Sequence, residues 1–459
     1  MLQKVLYGAV LCILFLLALA AADTPANCTY EEIVGTWVFQ FGEGNKNKDV
    51  NCSQPFSPVN KIKINLVYPN VATDEFNNNG VWTLIYNQGF EVVIAGRKYF
   101  AFSHFEGNVS FCDRVTGGWS HDVLGNDWAC YDGRKSTSAM KINAVPVKGH
   151  SLRFKHPINS REIVRVINNA QSSWKAATYP QFEDLSDEDF LKLAGGKKSI
   201  IYSRPKSAPL TDAHRRLMGN LPESFDWRNV NGVNFVSPVR DQGGCGSCYA
   251  FGSLGMDEAR IRILTNNTQK PVFSPQDVVE CSPYSQGCEG GFPYLIGGKY
   301  AEDYGLVLED CNPYKGIDGK CQTNPACVRH YFTNYQYVGG YYGATNEAVM
   351  LQALYEEGPL AVGFFVYDDF FNYKSGIYHH VPSIDGGIGR FNPFDITNHA
   401  VLLVGWGVDP KTLEKYWIVK NSWGEGWGLS GYFWIRRGND ECGFESLAVK
   451  STPVFTFNA

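Results

Sequence analysis

Beyond residue 22 this 459-residue chain has no apolar run of membrane-spanning length, so nothing after its start is expected to cross a bilayer. It also lacks a dense basic patch, and with a formal charge of −5 that argues against nucleic acid as a partner. Histidine is scarce, with nine in the whole chain, so chemistry that needs an imidazole has few residues to draw on. The first 140 residues show no constellation of His, Cys and carboxylate that would carry a reaction; His104 and His121 read there as structural or surface residues.

What is present begins with a leader. Lys4, an apolar run from Ala9 to Leu19 and then Ala20-Ala21-Ala22 form a secretory signal, which places the mature start at Asp23. A membrane anchor is the other reading, disfavoured because the run is short and ends in alanines. Passage through the secretory pathway permits disulfides for the 12 cysteines that remain once Cys12 has left with the signal. Sequons at Asn27, Asn51, Asn108 and Asn266 fit a glycoprotein. The length suits two or three domains, and 44% apolar residues are enough to bury their cores.

From Asp23 to about Met140 short β-type runs alternate with turns. They are Thr36 to Phe41, Lys61 to Tyr68, Val81 to Tyr86, Phe90 to Ala95 and Lys98 to His104, and they predict a small antiparallel barrel or sandwich. From about Lys141 to Asn220 the character changes to helices at Arg161 to Ala176 and Ser186 to Leu193, the second opened by a capping box from Ser186 and Asp189. This segment carries fourteen Lys and Arg against seven Asp and Glu, ahead of an acidic remainder. It reads either as a pro-segment held partly by charge or as a permanent basic linker. From Leu221 helix signals come first, including Cys248 to Leu264, which lacks a clean amphipathic stripe and is expected to be buried on most sides. Strands follow at Leu360 to Val366, Ala400 to Gly405, Tyr416 to Lys420 and Tyr432 to Arg436. The fold class is α+β: a helical lobe and a β lobe with a cleft between them, behind a small all-β barrel.

The chemistry is concentrated in Gln242-Gly243-Gly244-Cys245-Gly246-Ser247-Cys248-Tyr249-Ala250-Phe251. A cysteine that opens a helix feels the positive end of the macrodipole, which favours thiolate over thiol, so Cys248 is the candidate nucleophile. His399 stands at the mouth of an apolar strand as the candidate base, and Asn421 follows another strand as its orienting partner. Trp423 would shield their hydrogen bond from water. The Cys248 N–H and the Gln242 side-chain amide would hold an oxyanion. Cys245 and Cys248 could instead be a redox pair or half a zinc site, which would leave the contexts of Gln242, His399 and Asn421 unexplained. His379-His380 has no partner motif and reads as surface or packing.

These residues resemble the papain-type cysteine peptidases, whose nucleophile loop reads C-G-[SA]-C-[WY]. His399 lies 151 residues after Cys248, close to the family's order and spacing, and Asn421 another 22 on. Phe225-Asp226-Trp227-Arg228, Gly287-Cys288-Glu289-Gly290-Gly291 and Gly424-Glu425-Gly426-Trp427-Gly428 match as well, so the likeness spans Leu221 to about Pro453. Tyr249 stands where Trp is commoner. Four further stretches resemble the dipeptidyl peptidase I (cathepsin C) group of that family: 23–30, 35–39, Glu289 to Tyr294, and Phe391-Asn392-Pro393-Phe394.

The resemblance implies a signal peptide at 1–22, an exclusion domain at 23–140 and a propeptide at 141–220. It further implies a heavy chain at 221–389 and a light chain at 390–459, with the last cut somewhere in Asp385 to Arg390. It implies a lysosomal enzyme that releases dipeptides from free N-termini of peptides and proteins, assembled as a homotetramer. Asp23 would hold the substrate's α-ammonium, and Gly290, Gly291 and Trp423 would line the substrate cleft. A chloride ion would sit by Phe292, Tyr294 and Tyr337; no metal or organic cofactor is expected. The implied disulfides are Cys28–Cys112, Cys52–Cys130, Cys245–Cys288, Cys281–Cys321 and Cys311–Cys327, with Cys442 unpaired. A papain-type endopeptidase and a catalytically silent binding protein on the same scaffold are the alternatives.

Overall fold

The computed structural model describes residues 24–136 apart from 25, 47, 49, 53 and 108, the backbone of 142 and 143, and residues 157–195, 206–382 and 397–455. The expected signal, Asp23, Asn108, the expected light-chain cut and the 391–394 motif therefore lie outside the described residues.

The first domain is a closed antiparallel barrel. Its strands are β1 (Gly35–Phe41), β2 (Asn60–Val67), β3 (Val71–Asp74), β4 (Asn79–Ile85), β5 (Gly89–Ile94), β6 (Arg97–Glu106), β7 (Val109–Asp122) and β8 (Trp128–Lys135). They pair in the order β6-β5-β4-β3-β2-β1-β8-β7, and pairing of β6 with β7 closes the ring. A two-residue strand, β9 (Ile142–Asn143), adds to the outer run of β7. The alternation in β1 sends Trp37 and Phe39 inward, where they meet Phe90 and Tyr131 with ring centroids 4.9 and 5.2 Å apart. Disulfides Cys28–Cys112 and Cys52–Cys130 staple the N-terminal turn and the β1–β2 loop to this barrel. The expected strands are there; β3, β7 and β8 are absent from the reading of the sequence, and the last two complete the closure.

The basic segment folds onto the catalytic domain. The expected helix Arg161 to Ala176 stops at Ala170, and Trp174–Ala176 form a strand, β10. The Asn168 side chain reverses the chain by donating to the Ala176 carbonyl and accepting from its N–H. Tertiary pairing overrides local helical preference here, because as a strand the segment buries Trp174 and gains a partner. The next helix, Asp187–Leu193, has the expected capping box from Ser186 and Asp189.

From Leu221 the helix Cys248–Leu264 runs through the first lobe, with 14 of its 17 residues buried. The second lobe is a sheet made of β11 (Phe225–Asp226), β12 (Phe332–Tyr337), β13 (Leu360–Phe364), β14 (Tyr373–Tyr378), β15 (His399–Val408), β16 (Lys415–Lys420), β17 (Tyr432–Arg436) and β18 (Ala448–Pro453). Their order is β10-β14-β17-β16-β15-β13-β18-β12, with β11 beside β15, so the basic segment supplies one edge strand. Disulfides Cys245–Cys288, Cys281–Cys321 and Cys311–Cys327 pin the loops of the first lobe, and Cys442 is free and buried. All five implied pairings are present. Tyr294–Tyr300 form a π-helical turn against the barrel, which the sequence reading did not anticipate.

Candidate active site

Two glycines let Cys248 and His399 approach one another. A Cβ on Gly252 would stand 3.2 Å from the Val401 carbonyl oxygen, and one on Gly255 would stand 3.1 Å from Leu402 Cδ2. Their absence lets the helix Cys248–Leu264 press against β15, which brings its first residue beside the first residue of that strand. Cys248 Sγ accordingly faces the Ala400 N–H, next to His399. His399 Nε2 lies 2.8 Å from Asn421 Oδ1, and the Trp423 ring covers the imidazole at 5.1 Å. His399 Nδ1 is buried and has no hydrogen-bond partner among the described residues.

Gln242 is held at several points. Its N–H donates to the Ser422 carbonyl at 2.8 Å, its Oε1 accepts from Ser422 Oγ at 2.6 Å, and its Nε2 donates to the Cys245 carbonyl at 3.0 Å. The structure thus brings Cys248, Gln242, His399, Asn421 and Trp423 together. A small cavity of about 40 Å³ adjoins them, lined among others by Gly290, Gly291, Phe292 and Tyr86 of the barrel. Tyr86 is stacked on Phe292 with centroids 4.0 Å apart. Tyr294 stacks on Tyr337 at 4.4 Å, and the buried Tyr337 hydroxyl has no partner among the described residues.

The basic segment covers this site. After the helix Asp187–Leu193, the Leu193 carbonyl accepts from Trp423 Nε1 at 3.2 Å and from Gln242 Nε2 at 3.4 Å. Gly195 follows, in the left-handed region at φ +85°, directly against Cys248. Burial under this cover pushes the Cys248 thiol up to about 12 and the His399 imidazole down to about 4; the N–H groups of Ala400 and Tyr249 and the Asn421 contact act weakly the other way. The helix-end thiolate expected from the sequence is therefore a neutral thiol beside a neutral imidazole in the covered chain. Desolvation outweighs the helix dipole here.

The barrel meets the catalytic domain through buried charge. Glu91 of β5 accepts from the Tyr335 hydroxyl at 2.7 Å, and Lys98 of β6 pairs with Glu302 at 2.6 Å. His121, Glu302 and Asp303 converge as cation ligands might, and the Lys299 ammonium, 3.0 Å from Asp303, supplies the positive charge. His121 is thus a buried structural residue. His380 stacks on Tyr367 at 3.7 Å and faces Asp369, and His379 Nδ1 meets Ser173 Oγ at 2.8 Å, so that pair is packing. Of the sequons, Asn51 and Asn266 are exposed, while the half-buried Asn27 accepts from Asn87 Nδ2 at 3.2 Å.

Sequence reasoning missed Tyr86, Leu193 and Gly195 as parts of the site. The capping box at Ser186 announced the helix but not where in the fold it would end.

Residues 221–452 match the family described as papain family cysteine protease, and residues 23–135 match the cathepsin C exclusion domain. The chain is 46% identical to cathepsin C of Schistosoma mansoni, over 96% of this chain and 98% of that one. It is 33% identical to pro-cathepsin H of Bos taurus over 64% of this chain and 82% of the relative. Among solved structures, digestive procathepsin L2 proteinase from Tenebrio molitor larval midgut aligns with a TM-score of 0.51 at 31% identity, covering 63% of this chain and 88% of that one. ProCathepsin B S9 from Trypanosoma congolense aligns with a TM-score of 0.52 at 27% identity, over 65% and 100%. The chain belongs to the papain family of cysteine proteases and, within it, to the cathepsin C group. It is a cysteine peptidase with an exclusion domain ahead of its catalytic domain. Among the described residues no helix is long and apolar enough to cross a membrane.

Proposed function

We propose that the mature protein removes dipeptides one after another from free N-termini of peptides and proteins. The observation that carries this reading is Tyr86: a barrel residue lines the same cavity as Cys248 and His399, so the barrel closes one end of the cleft. A cleft closed at that end admits only a short stretch of substrate ahead of the cut bond. Asp23 would hold the α-ammonium by charge and hydrogen bonding, and Gly290, Gly291 and Trp423 would flank the chain.

Once residues 141–220 are excised, water reaches Cys248 and His399, and a thiolate–imidazolium pair becomes the favoured form. The thiolate attacks the carbonyl carbon of the second substrate residue. The oxyanion so formed takes hydrogen bonds from the Cys248 N–H and Gln242 Nε2. Collapse breaks the C–N bond, with the imidazolium proton going to the leaving amine. Water then attacks the thioester and gives a proton to His399; the dipeptide leaves and the thiolate is restored. Asn421 holds the imidazole in orientation throughout.

The Tyr337 hydroxyl, which has no partner among the described residues and is buried in an aromatic cluster with Tyr294, fits a donor to an anion. Chloride would be held there by that hydroxyl and by N–H groups at Phe292 and Tyr294, adding a fixed negative charge at the pocket. A homotetramer, cutting near Arg390, glycans at the sequons, lysosomal delivery, and a role in activating other proteases or degrading protein complete the proposal.

The test is to incubate the matured protein with one peptide carrying a free or an acetylated N-terminus and to follow products by mass spectrometry. Serial dipeptides from the free peptide alone are expected. Internal cuts in both peptides would replace this reading with an endopeptidase, and no cuts in either would replace it with a silent binding protein.

A further inference from the structure

Gln242 and Ser247 stand at the two ends of the nucleophile loop, and one phenol outside that loop touches both. Tyr314 Oη lies 2.7 Å from the Gln242 carbonyl oxygen and 2.6 Å from Ser247 Oγ. A carbonyl can only accept, so the phenol spends its one proton on Gln242, and the Ser247 hydroxyl must donate to the phenol oxygen. The proton order is therefore fixed as Ser247 to Tyr314 to Gln242. Ser247 is fully buried and immediately precedes Cys248.

The turn that delivers Tyr314 is itself tied down. The Tyr314 N–H donates to Glu309 Oε1 at 2.9 Å, and the N–H groups of Lys315 and Gly316 donate to the buried Gln276 Oε1 at 2.8 and 3.2 Å. Glu309 is held by Arg240 at 2.6 Å, and the Arg240 carbonyl accepts from the Gly424 N–H at 3.1 Å. The Cys311–Cys327 disulfide anchors the start of the turn. The Tyr314 ring also meets the edge of Phe251, on the helix that carries Cys248, at 4.9 Å.

Resting on the oxyanion reading above, we propose that Tyr314 is a positioning residue for that site. Its hydroxyl is the brace that keeps the Gln242 amide and the Cys248 N–H, two donors six residues apart, converged on one point. The other contacts of Gln242 run to Ser422, to Cys245 within the loop, and to the Lys192 and Leu193 carbonyls of the covering segment; the phenol is the contact that refers it directly to Ser247, the residue before Cys248. Displacing an oxyanion donor acts on the transition state and leaves ground-state binding almost untouched.

The experiment compares matured full-length protein with Tyr314→Phe, Ser247→Ala, the double variant, and Gln242→Ala. Tyr314→Phe keeps the ring against Phe251 and removes only the brace. It is expected to lower kcat about tenfold with KM within about twofold, and to leave Cys248 alkylation by iodoacetamide within about twofold, since alkylation needs no oxyanion site. The double variant should be no slower than the worse single one, because both cut the same chain of hydrogen bonds. Parental kcat in Tyr314→Phe would overturn the proposal, and so would an equal fall in turnover and alkylation, which would place the effect on the nucleophile or the fold. Gln242→Ala separates the two levels. If it is crippled while Tyr314→Phe is fully active, only the brace is lost; if it keeps parental kcat, the oxyanion reading falls with it.

Discussion

Gly195 lies so close to Cys248 that a Cβ built on it would stand 3.0 Å from the Cys248 sulfur and 2.3 Å from the Asn398 carbonyl oxygen. Its positive φ adds about 1–2 kcal/mol of strain for any other L-residue. Gly195→Ala should therefore lift residues 193–195 off the sulfur. The unprocessed variant is expected to alkylate at Cys248 roughly tenfold faster than the parent, that being the population shift such an energy allows. Peptide mapping after an iodoacetamide time course measures it; an unchanged rate would mean that the cover is held elsewhere.

The same cover should weaken in acid. His399 is depressed to about 4 while covered, against an ordinary 6.5. The unfolded chain, with an ordinary imidazole, then binds the proton more readily, so this contribution to the stability of the covered fold is complete above pH about 6.5 and is lost as the pH falls toward 4. Cys248, raised to about 12 from 9, gives the opposite limb, with stability lost as the pH rises beyond about 9. Limited proteolysis of residues 157–195 should accordingly be slowest near neutrality and faster at pH 4.5 than at pH 7.5.

Barrel and catalytic domain share a buried ion set, and Lys299 is its most enclosed cation. Burial opposes its charge, while Asp303, Glu91 and Glu302 raise its pKa; Asp303 is itself held well below the usual carboxylate range by Lys299, His121 and Tyr284. Lys299→Met leaves Asp303 in the interface without its nearest cation, at a cost of about 3–5 kcal/mol. The melting temperature should fall accordingly at pH 6–8. The difference should shrink below pH about 4, where the advantage of an ionised Asp303 disappears in the parent too.

Trp423→Ala should open the His399–Asn421 hydrogen bond to water. We expect kcat to drop by about tenfold, a fraction of the roughly 10²–10⁴-fold that a positioned acid–base group supplies, with Trp423→Phe recovering most of it. Steady-state kinetics on a free N-terminal peptide decide between the two variants.

The nucleophile loop was legible because its geometry is written in adjacent residues: glycines for the turn, then a cysteine on the first turn of a helix. His399 and Asn421 were found only through strand ends and spacing. The disulfides came from resemblance, since sequence separation does not determine pairing. Contacts between distant segments were not legible. Glu91 and Tyr335 are 244 residues apart, and nothing near either one announces the other. Trp174 to Ala176 looked helical because local pattern cannot register the partner strand that claims it. The neutral thiol of the covered chain was not legible for the same reason, because Gly195, in the segment that dries the site, lies far upstream of Cys248.

That partner strand has one more consequence. β10 hydrogen-bonds along β14 through Trp174–Gly376 and its neighbours, so departure of residues 157–195 would leave β14 as a bare sheet margin. An uncovered margin invites self-association, yet β14 is six residues long and carries exposed Lys374 and the left-handed Gly376. A short strand with a charge and a kink is poorly suited to templating another chain. The margin that receives Trp174–Ala176 would therefore be unreceptive to strangers if that segment were removed.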